Sequence, residues 1–391
     1  MKKYENVILA DILQERGYIR GPFGSALKRS EMKEKGIPVY EQQHAIYNSR
    51  KFRFFIDEQK FKELERFKVT TNDLLISCSG TVGKVTIIRE EDPKGIISQA
   101  LLILRIDPSK IIAEYLRYFF ISKQGYNAIV SRSSGSVQVN ISKRNIIEQI
   151  PLSLPKLEEQ EKIVTILKLL DDKILLNNNI NDNLFQQAQA LYQHMFVDNP
   201  NPDWIEGCLS DIANITMGQS PSGSSYNGDG IGTIFFQGRA EFGFRFPTIR
   251  LYTTEPKRMA YTNDILMSIR APVGDINVAH TDCCIGRGLA AVHSKSNHQS
   301  FVLYTMVSLK KQWDMFNGEG TVFGSINRNS LNNVPILIPT NDIIEEFERT
   351  VAPMDVAIRN NYDEICHLQE IRDSLLPKLM SGELDVSIID I

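Results

Sequence analysis

The chain has 391 residues, and its 44 Lys and Arg against 47 Asp and Glu give a formal net charge of −3. With 42% hydrophobic and 23% charged residues it has the composition of a folded globular protein, which excludes a disordered or fibrous one. No apolar run reaches the roughly 18–20 residues of a membrane helix, and five scattered cysteines argue against a disulfide scaffold. We therefore expect a cytoplasmic protein, without a membrane partner, that has about two or three domains.

The charges are unevenly distributed along the chain. Residues 156–197 carry a net charge of −2 and residues 341–391 one of −8, so that 1–155 and 198–340 together carry +7. Two basic blocks that alternate with acidic ones predict two modules that meet a polyanion, while the acidic segments contact something else.

The sequence contains an internal repeat of roughly 190 residues. Residues 71–77 (TNDLLIS) recur as 262–268 (TNDILMS), at an offset of 191, and 150–155 (IPLSLP) are answered by 334–339 (VPILIP), at an offset of 184. Two shorter matches lie between them: Val82-Gly83 with Val273-Gly274, and Gly135-Ser136-Val137 with Gly320-Thr321-Val322. Four matches in the same order predict two diverged copies of one unit, related by a pseudo-two-fold repeat.

Each copy begins with a globular part, over 1–155 and 198–340. Short runs of β-branched and aromatic residues, such as 73–77 and 264–269, are separated by Gly, Pro, Ser and Asn. This pattern predicts an α+β fold with two mixed α/β globules, each built on a curved, mostly antiparallel sheet.

Each copy ends in a long helical segment, over 156–197 and 341–391. Heptad spacing predicts that the two helices form an intramolecular antiparallel coiled coil between the globules; the alternative is that each helix packs on its own globule. Polar residues inside an apolar seam are best explained as fixing register, and they are Asn177, Asn181 and Asn361. The two seams are Ile163, Leu167, Leu170, Ile174, Asn177, Asn181, Leu184, Ala188, Leu191 and Met195, and Phe347, Val351, Met354, Ile358, Asn361, Ile365, Leu368, Arg372, Leu375 and Leu379.

No catalytic or metal-binding constellation is evident. Residues 79–85 (SGTVGKV) lack the spacing and the final Ser or Thr of a phosphate-binding loop, so a tight turn between strands is the better interpretation. Cys283 and Cys284 lie near three histidines but not at the spacing of zinc ligands, which favours core cysteines and surface histidines. The sequence therefore predicts a non-catalytic chain with neither a metal site nor a cofactor of its own.

Two basic globules joined by paired helices predict a molecular ruler for DNA. Each globule can read a few base pairs, and the helices can fix the distance between the half-sites. Because the two copies have diverged, we expect the two half-sites to differ.

Specific motifs support this hypothesis, because the whole chain resembles the specificity subunit of type I restriction–modification enzymes. The residues that carry the resemblance in the first copy are 21–28 (GPFGSALK), 36–39 (GIPV), 72–77 (NDLLIS), 135–141 (GSVQVNI) and 158–163 (EEQEKI). In the second copy they are 218–222 (GQSPS) and 263–266 (NDIL), whereas the EEQEK stretch is replaced by 342–346 (DIIEE).

The resemblance implies a division of the chain and a set of partners. The division is a target-recognition domain at 1–155, a central helical spacer at 156–197, a second target-recognition domain at 198–340 and a C-terminal spacer at 341–391. The implied partners are double-stranded DNA, two methyltransferase subunits that modify adenine and the ATP-driven translocase–endonuclease subunits. S-adenosylmethionine, ATP and Mg would then belong to those partner subunits.

The candidate DNA-binding residues are polar or basic and lie in Gly- and Ser-rich loops. Arg can reach guanine or phosphate, Gln can reach adenine, and Ser or Thr can reach phosphate or a base edge. In the first copy they are Arg20, Lys28, Arg29, Ser79, Thr81, Lys84, Arg132, Ser134, Ser136 and Gln138; in the second they are Gln219, Ser220, Ser222, Gln237, Arg239, Arg270, Arg287, Thr321 and Arg328.

Two other functions remain open at this level. The chain could be a protein-binding scaffold that dimerises through its helices, in which case it would lack the steep salt dependence of DNA binding. It could also be a nuclease whose carboxylate cluster follows no recognisable motif, in which case the purified chain would nick DNA in the presence of a metal.

Overall fold

The structure is a computed structural model that describes residues 4–23, 26–133, 139–317 and 324–387. It divides into two compact units, Met1–Ile174 with Cys366–Ile391, and Leu175–Ile365. Each unit contains one globule of the repeat and a segment of each long helix. The predicted boundaries of the domains and spacers, at 1–155, 156–197, 198–340 and 341–391, stay a prediction.

The first unit is built on a four-stranded antiparallel sheet in the order β2-β8-β5-β6, beside a three-stranded sheet β4-β3-β7 and a pair β1-β9. Its strands are β1 Glu5–Ile8, β2 Leu13–Arg20, β3 Ile37–Tyr40, β4 Phe55–Ile56, β5 Leu74–Ser77, β6 Val85–Ile87, β7 Ile96–Ile97, β8 Leu101–Ile106 and β9 Pro151–Leu154. Its helices are α1 Gln42–Tyr47, α2 Glu58–Glu63, α3 Ala113–Ile121, α4 Lys123–Val130 and α5 Arg144–Ile147, after which the long helix α6 runs over Leu157–Tyr192 and ends in a π-helical turn, Gln193–Asp198.

The second unit repeats this plan. Its sheets are ordered β11-β19-β16-β17 and β12-β14-β13-β18-β15, beside a pair β10-β20. The strands are β10 Ile205–Cys208, β11 Ala213–Met217, β12 Tyr226–Asn227, β13 Thr233–Phe236, β14 Tyr252–Thr253, β15 Met259–Ala260, β16 Ile265–Ser268, β17 Ile276–Val278, β18 Cys283–Ile285, β19 Leu289–Ser294 and β20 Pro335–Ile338. The helices are α7 Leu209–Ile212, α8 Gln299–Ser308, α9 Lys310–Asp314, α10 Arg328–Asn332 and the long α11 Asn341–Ser381.

The predicted α+β class and the internal repeat are confirmed. The four-stranded sheets are antiparallel throughout, and each unit has a parallel pair at the equivalent place, β3 with β7 and β13 with β18. Both faces of each four-stranded sheet are covered: Leu74 and Ile76 lie in one core cluster and Leu75 in another. This is why the strands read as continuous apolar runs rather than as an alternation.

The TND motif is a structural turn in both units. Asn72 and Asn263 adopt the left-handed conformation, with φ of 71° and 72°, which Asn tolerates better than most residues. The next residue is a buried Asp that accepts a hydrogen bond from the backbone three residues earlier. Asp73 also pairs with Arg105, and Asp264 pairs with His293. The motif therefore occurs in both units because the same turn leads into strand β5 in one sheet and into strand β16 in the other.

The SGTVGK stretch is the predicted tight turn. Gly83 has φ +84° and Gly274 has φ +89°, and each donates its N–H to the carbonyl of the Ser that ends the preceding strand. A Cβ on Gly274 would lie 2.2 Å from the Cβ of Trp313. This position therefore needs glycine both for its backbone conformation and for space.

The two long helices pair in antiparallel fashion, as predicted. In the second unit Asn361 Nδ2 donates to Asn181 Oδ1 at 2.8 Å, and Asn177 Nδ2 donates to Glu364 Oε2 at 2.8 Å. In the first unit Arg372 of α11 bonds to Asp171 of α6 at 3.1 Å. Every residue of both predicted seams is buried or half-buried.

The helices also pack on the globules, so the two arrangements posed as alternatives coexist. In the first unit Ile163 and Leu167 belong to the same core cluster as the four-stranded sheet. In the second unit Tyr192 and Phe347 contact each other and lie in the core cluster of the second globule. The seam thus serves as a helix–helix contact and as part of each core.

Gln160, the centre of the EEQEK stretch, fastens α6 to the first globule. It is fully buried, its Oε1 accepts the Ile112 N–H, and its Nε2 donates to the carbonyls of Lys110 and Pro155. In the second unit Glu348 has the equivalent role, because its carboxylate accepts hydrogen bonds from the N–H groups of Ser300 and Phe301. The second copy can lack EEQEK because a carboxylate elsewhere on its helix holds the equivalent helix start.

Candidate nucleic-acid interface

Loops at one end of the second unit's sheets bring together several of the candidate residues. We call this group the second loop edge: residues 218–220, 237–239, 269–270, 286–288 and 324–326. Gln219 N donates to the Ile285 carbonyl, Gly286 N to the Phe236 carbonyl, and Ile326 N to the Ile269 carbonyl. These backbone bonds fix the loops to one another.

Two arginines stand at the centre of the second loop edge. Arg270 Nε donates to the carbonyl of Arg287 at 3.3 Å, and the Arg287 N–H donates to Ser220 Oγ at 3.2 Å. Both arginine side chains are exposed. Arg239 is exposed as well, but it forms an ion pair with Asp275, which reduces its availability to an anion. The net result is a cationic, hydrogen-bonding surface.

The first unit has an equivalent group, which we call the first loop edge: residues 20–23, 40–42, 78–80, 98–100 and 139–141. Ser98 N donates to the Tyr40 carbonyl, and Ile141 N donates to the Cys78 carbonyl. Ser79 Oγ donates to Asn140 Oδ1 at 2.8 Å, and the Ser79 N–H donates to Gln42 Oε1 at 3.1 Å.

Arg20 sits half-buried behind this edge. Its Nη1 is buried and has no hydrogen-bond partner within the described ranges. Burial raises the pKa of the neighbouring Cys78 thiol to about 12, although the Arg20 charge acts in the opposite direction. Cys78 therefore stays a neutral core residue.

The hydrogen bonds give a residue-by-residue correspondence between the two edges. Gly21 N donates to the carbonyl of Leu101, the first residue after the 98–100 turn. Gly218 N donates to the carbonyl of Leu289, the first residue after the 286–288 turn. The bridges Ser79–Asn140 and Arg270–Ser325 are equivalent. On this correspondence Gln99 lies where the second edge has Arg287, and Ser79 lies where it has Arg270.

The remaining candidates lie outside the two edges or beyond the described residues. Arg132 Nη1 bonds back to the Ala128 carbonyl of its own helix, and Lys84 stacks over Tyr126. Arg29 lies over Phe54. Lys28, Thr81, Ser222 and Arg328 are exposed. Four candidates fall outside the described ranges: Ser134, Ser136, Gln138 and Thr321.

Three polar residues that lie in or beside the loop edges are absent from the candidates chosen by sequence: Gln99, Gln42 and Arg258. Arg258 is exposed, and its carbonyl accepts the Ile285 N–H next to the 286–288 turn. None of the three lies in a Gly- or Ser-rich run of the sequence. Only the pairing of β3 with β7, and of β15 with β18, brings them to the edges.

The cysteine and histidine cluster has structural partners. Cys283 and Cys284 are buried, and burial raises the pKa of Cys283 to about 12. His280 pairs with Asp363 and His293 with Asp264. Across the ranges that the structure describes, no group of three or more His, Cys, Asp or Glu is arranged to hold a metal ion, and no helix there is long and apolar enough to cross a membrane.

Comparison with known proteins decides the family. A family profile described as type I restriction modification DNA specificity domain matches residues 1–186 and 201–346. The chain belongs to this family. It is a specificity subunit, whose two globules are target-recognition domains for DNA sequence, and its role in such a system is recognition rather than catalysis.

Known relatives agree with this assignment, and a solved structure shares the fold. A putative type I restriction enzyme MjaX specificity subunit of Methanocaldococcus jannaschii is 28% identical over 355 residues, which cover 85% of this chain and 83% of the relative. The HindI specificity subunit of Haemophilus influenzae is 22% identical over 373 residues, covering 74% and 81%. The crystal structure of the type I system S subunit from M. genitalium shares the fold, with a TM-score of 0.58, 16% identity and 96% coverage of both chains.

Proposed function

We propose that each loop edge reads one half of a bipartite, asymmetric DNA site. The observation that carries this proposal is that the two edges share one backbone framework but present different side chains at matching positions. A common framework gives both globules the same way of approaching a duplex. Different side chains give them different base preferences.

The long helices would set the gap between the half-sites and bind the partner subunits. Their antiparallel pairing and the half-buried Asn181–Asn361 hydrogen bond support a fixed register. The acidic C-terminal segment is unsuited to DNA, and α6 leaves Leu169, Leu175 and Leu176 more than half exposed. Such apolar side chains on a helix suit a protein partner.

The complex would consist of this chain, two methyltransferase subunits and, for cleavage, ATP-driven translocase–endonuclease subunits. S-adenosylmethionine would bind the methyltransferases, and ATP and Mg would bind the translocase. This chain would contribute recognition and geometry, and it would act in the cytoplasm, where the DNA is.

The proposal is tested by co-expressing the chain with the methyltransferase subunit of its own type I system and mapping methylated adenines by single-molecule sequencing. We expect one split, asymmetric motif with a fixed gap, and we expect exchange of residues 1–155 for those of another specificity subunit to change one half only. A continuous or palindromic motif, or failure of the two proteins to associate, would contradict it.

A binding measurement tests the loop edge separately. Loss of one phosphate contact lowers the slope of log K against log salt by about 0.9. We therefore expect R270A to flatten the salt dependence of duplex binding by the complex. K295A removes a charge at the opposite end of the same sheet and should leave the slope unchanged. Equal effects of the two variants would contradict the placement of DNA on the loop edge.

A further inference from the structure

We propose that Gln99 and Arg287 are matching base-reading residues, with Gln99 selecting adenine in one half-site and Arg287 selecting guanine in the other. This inference rests on the function proposed above and extends it to one position in each globule. It begins from the turns Ser98–Ala100 and Gly286–Gly288, which the two units hold in the same way.

The backbone of the first turn is fixed from three sides. Ser98 N donates to the Tyr40 carbonyl, Leu101 N donates to the Ser98 carbonyl, and the Ala100 carbonyl accepts the Cys78 N–H. Gly21 packs so closely that a Cβ there would lie 2.0 Å from the Ser98 carbonyl oxygen. A rigid turn places the Cα of Gln99 in a defined position.

The second turn repeats these contacts. Gly286 N donates to the Phe236 carbonyl, Leu289 N donates to the Gly286 carbonyl, and the Gly288 carbonyl accepts the Ile269 N–H. A Cβ on Gly218 would lie 2.1 Å from the Gly286 carbonyl oxygen. The Cα of Arg287 is therefore held in the same frame as that of Gln99.

The side chains at these two positions are available, whereas several of those around them are engaged. Both are exposed, and neither the Gln99 amide nor the Arg287 guanidinium makes a hydrogen bond or an ion pair to another described residue. In the first edge Gln42 and Ser79 bond to each other, and Glu41 is held by a bidentate pair with Arg53, at 2.7 and 2.8 Å.

In the second edge the neighbours support the turn. Ser220 accepts the Arg287 N–H, and Arg270 donates to the Arg287 carbonyl. These contacts use the backbone of Arg287 and leave its guanidinium unbound. Positions 99 and 287 are thus equivalent points at which a fixed backbone presents an unengaged side chain.

The chemistry of the two side chains specifies the base. A Gln amide forms two hydrogen bonds with adenine, through N6 and N7, and an Arg guanidinium forms two with guanine, through O6 and N7. Each good bidentate pair changes the preference between bases by about 10- to 100-fold. Because the frames match, exchanging the side chains should exchange the preferences.

The test uses the full chain in complex with its methyltransferase, and the readout is the methylated motif. We expect Q99R to change one adenine to guanine in one half-site, and R287Q to change one guanine to adenine in the other half-site. Q14R is the matched control, because Gln14 is exposed at the opposite end of β2, and it should leave the motif unchanged.

The same variants are assayed by selection from a randomised duplex pool, so that loss of methylation does not end the test. Enrichment of the exchanged base at one position, by about 10-fold or more, supports the inference. A wild-type motif in both Q99R and R287Q overturns it, and the split motif would then still support the proposed function. A wild-type complex without a split motif refutes the proposed function itself.

Discussion

The Gln160 side chain gives a sharp test of how the long helix is attached to the first globule. Q160L keeps the size of the side chain but removes one hydrogen-bond acceptor and two donors in a fully buried place. The N–H of Ile112, just before α3, then has no partner, and two carbonyls each lose one bond.

The cost follows from this inventory. An orphaned buried N–H costs about 1–3 kcal/mol, and each lost hydrogen bond about 0.5–1.5 kcal/mol. The apolar Leu side chain regains about 1–2 kcal/mol through burial. We expect a net local destabilisation of about 1–4 kcal/mol, which corresponds to exchange that is about 5- to 700-fold faster wherever local opening controls it.

Hydrogen exchange measured by mass spectrometry on the full chain tests this directly. We expect faster exchange in peptides that cover Ala113–Ile121 and the start of α6. The matched variant E348Q loses one acceptor in the second unit and should accelerate exchange in Gln299–Ser308 instead. Unchanged exchange in Ala113–Ile121 of Q160L, or equal acceleration in both segments, would refute the reasoning.

Three further predictions concern stability. N181L should destabilise the second unit by about 1–3 kcal/mol because it leaves the Asn361 amide without its hydrogen-bond partner. The double variant N181L/N361L should recover most of that loss. Urea unfolding followed by Trp fluorescence measures the stability of both variants. Burial lowers the pKa of His44 from its ordinary value of 6.5, so the unfolded chain binds the proton more readily and stability should fall as the pH drops below 6.5; exchange of the surrounding amides measures this. G274A should cost about 2–4 kcal/mol in the same urea assay, through a left-handed φ and a clash with Trp313.

Each of these predictions has an outcome that contradicts it. If N181L/N361L were as unstable as N181L, the Asn pair would contribute more to stability than the mutual satisfaction of its two amide groups. Retention of the acid sensitivity in H44Q would assign that sensitivity to another group. A G274A variant no less stable than G223A, where a Cβ meets nothing within 4 Å, would show that the turn can relax.

Much of the fold could be predicted because it depends on local patterns. The TND turn, the Gly of the following hairpin and the heptad seams each depend on residues that are close in sequence. Asn72 and Gly83 adopt the positive φ values that their residue types favour. The antiparallel pairing also followed from the seams, because two equivalent stripes in one chain can cover each other.

The loop edges could not be predicted because the two copies drift out of register. The offset between equivalent residues is 197 at Gly21 and Gly218, 191 at Asp73 and Asp264, and 188 at Ser98 and Gly286. The sequence matches provided only the offsets 191, 185 and 184. The segments between the equivalent residues differ in length and account for the changes between these offsets. Gln99 therefore had no visible counterpart in the second copy.

The structure identifies that counterpart because backbone hydrogen bonds do not depend on which side chain a residue carries. The same donor and acceptor positions recur around Gln99 and around Arg287, although the residues themselves differ in size, charge and hydrogen-bonding capacity. A position at which the frame is kept and the side chain is changed is where two copies of one domain can acquire different specificities. Similarity of sequence marks the turns and cores of this chain, and dissimilarity within a common frame marks where it would read DNA.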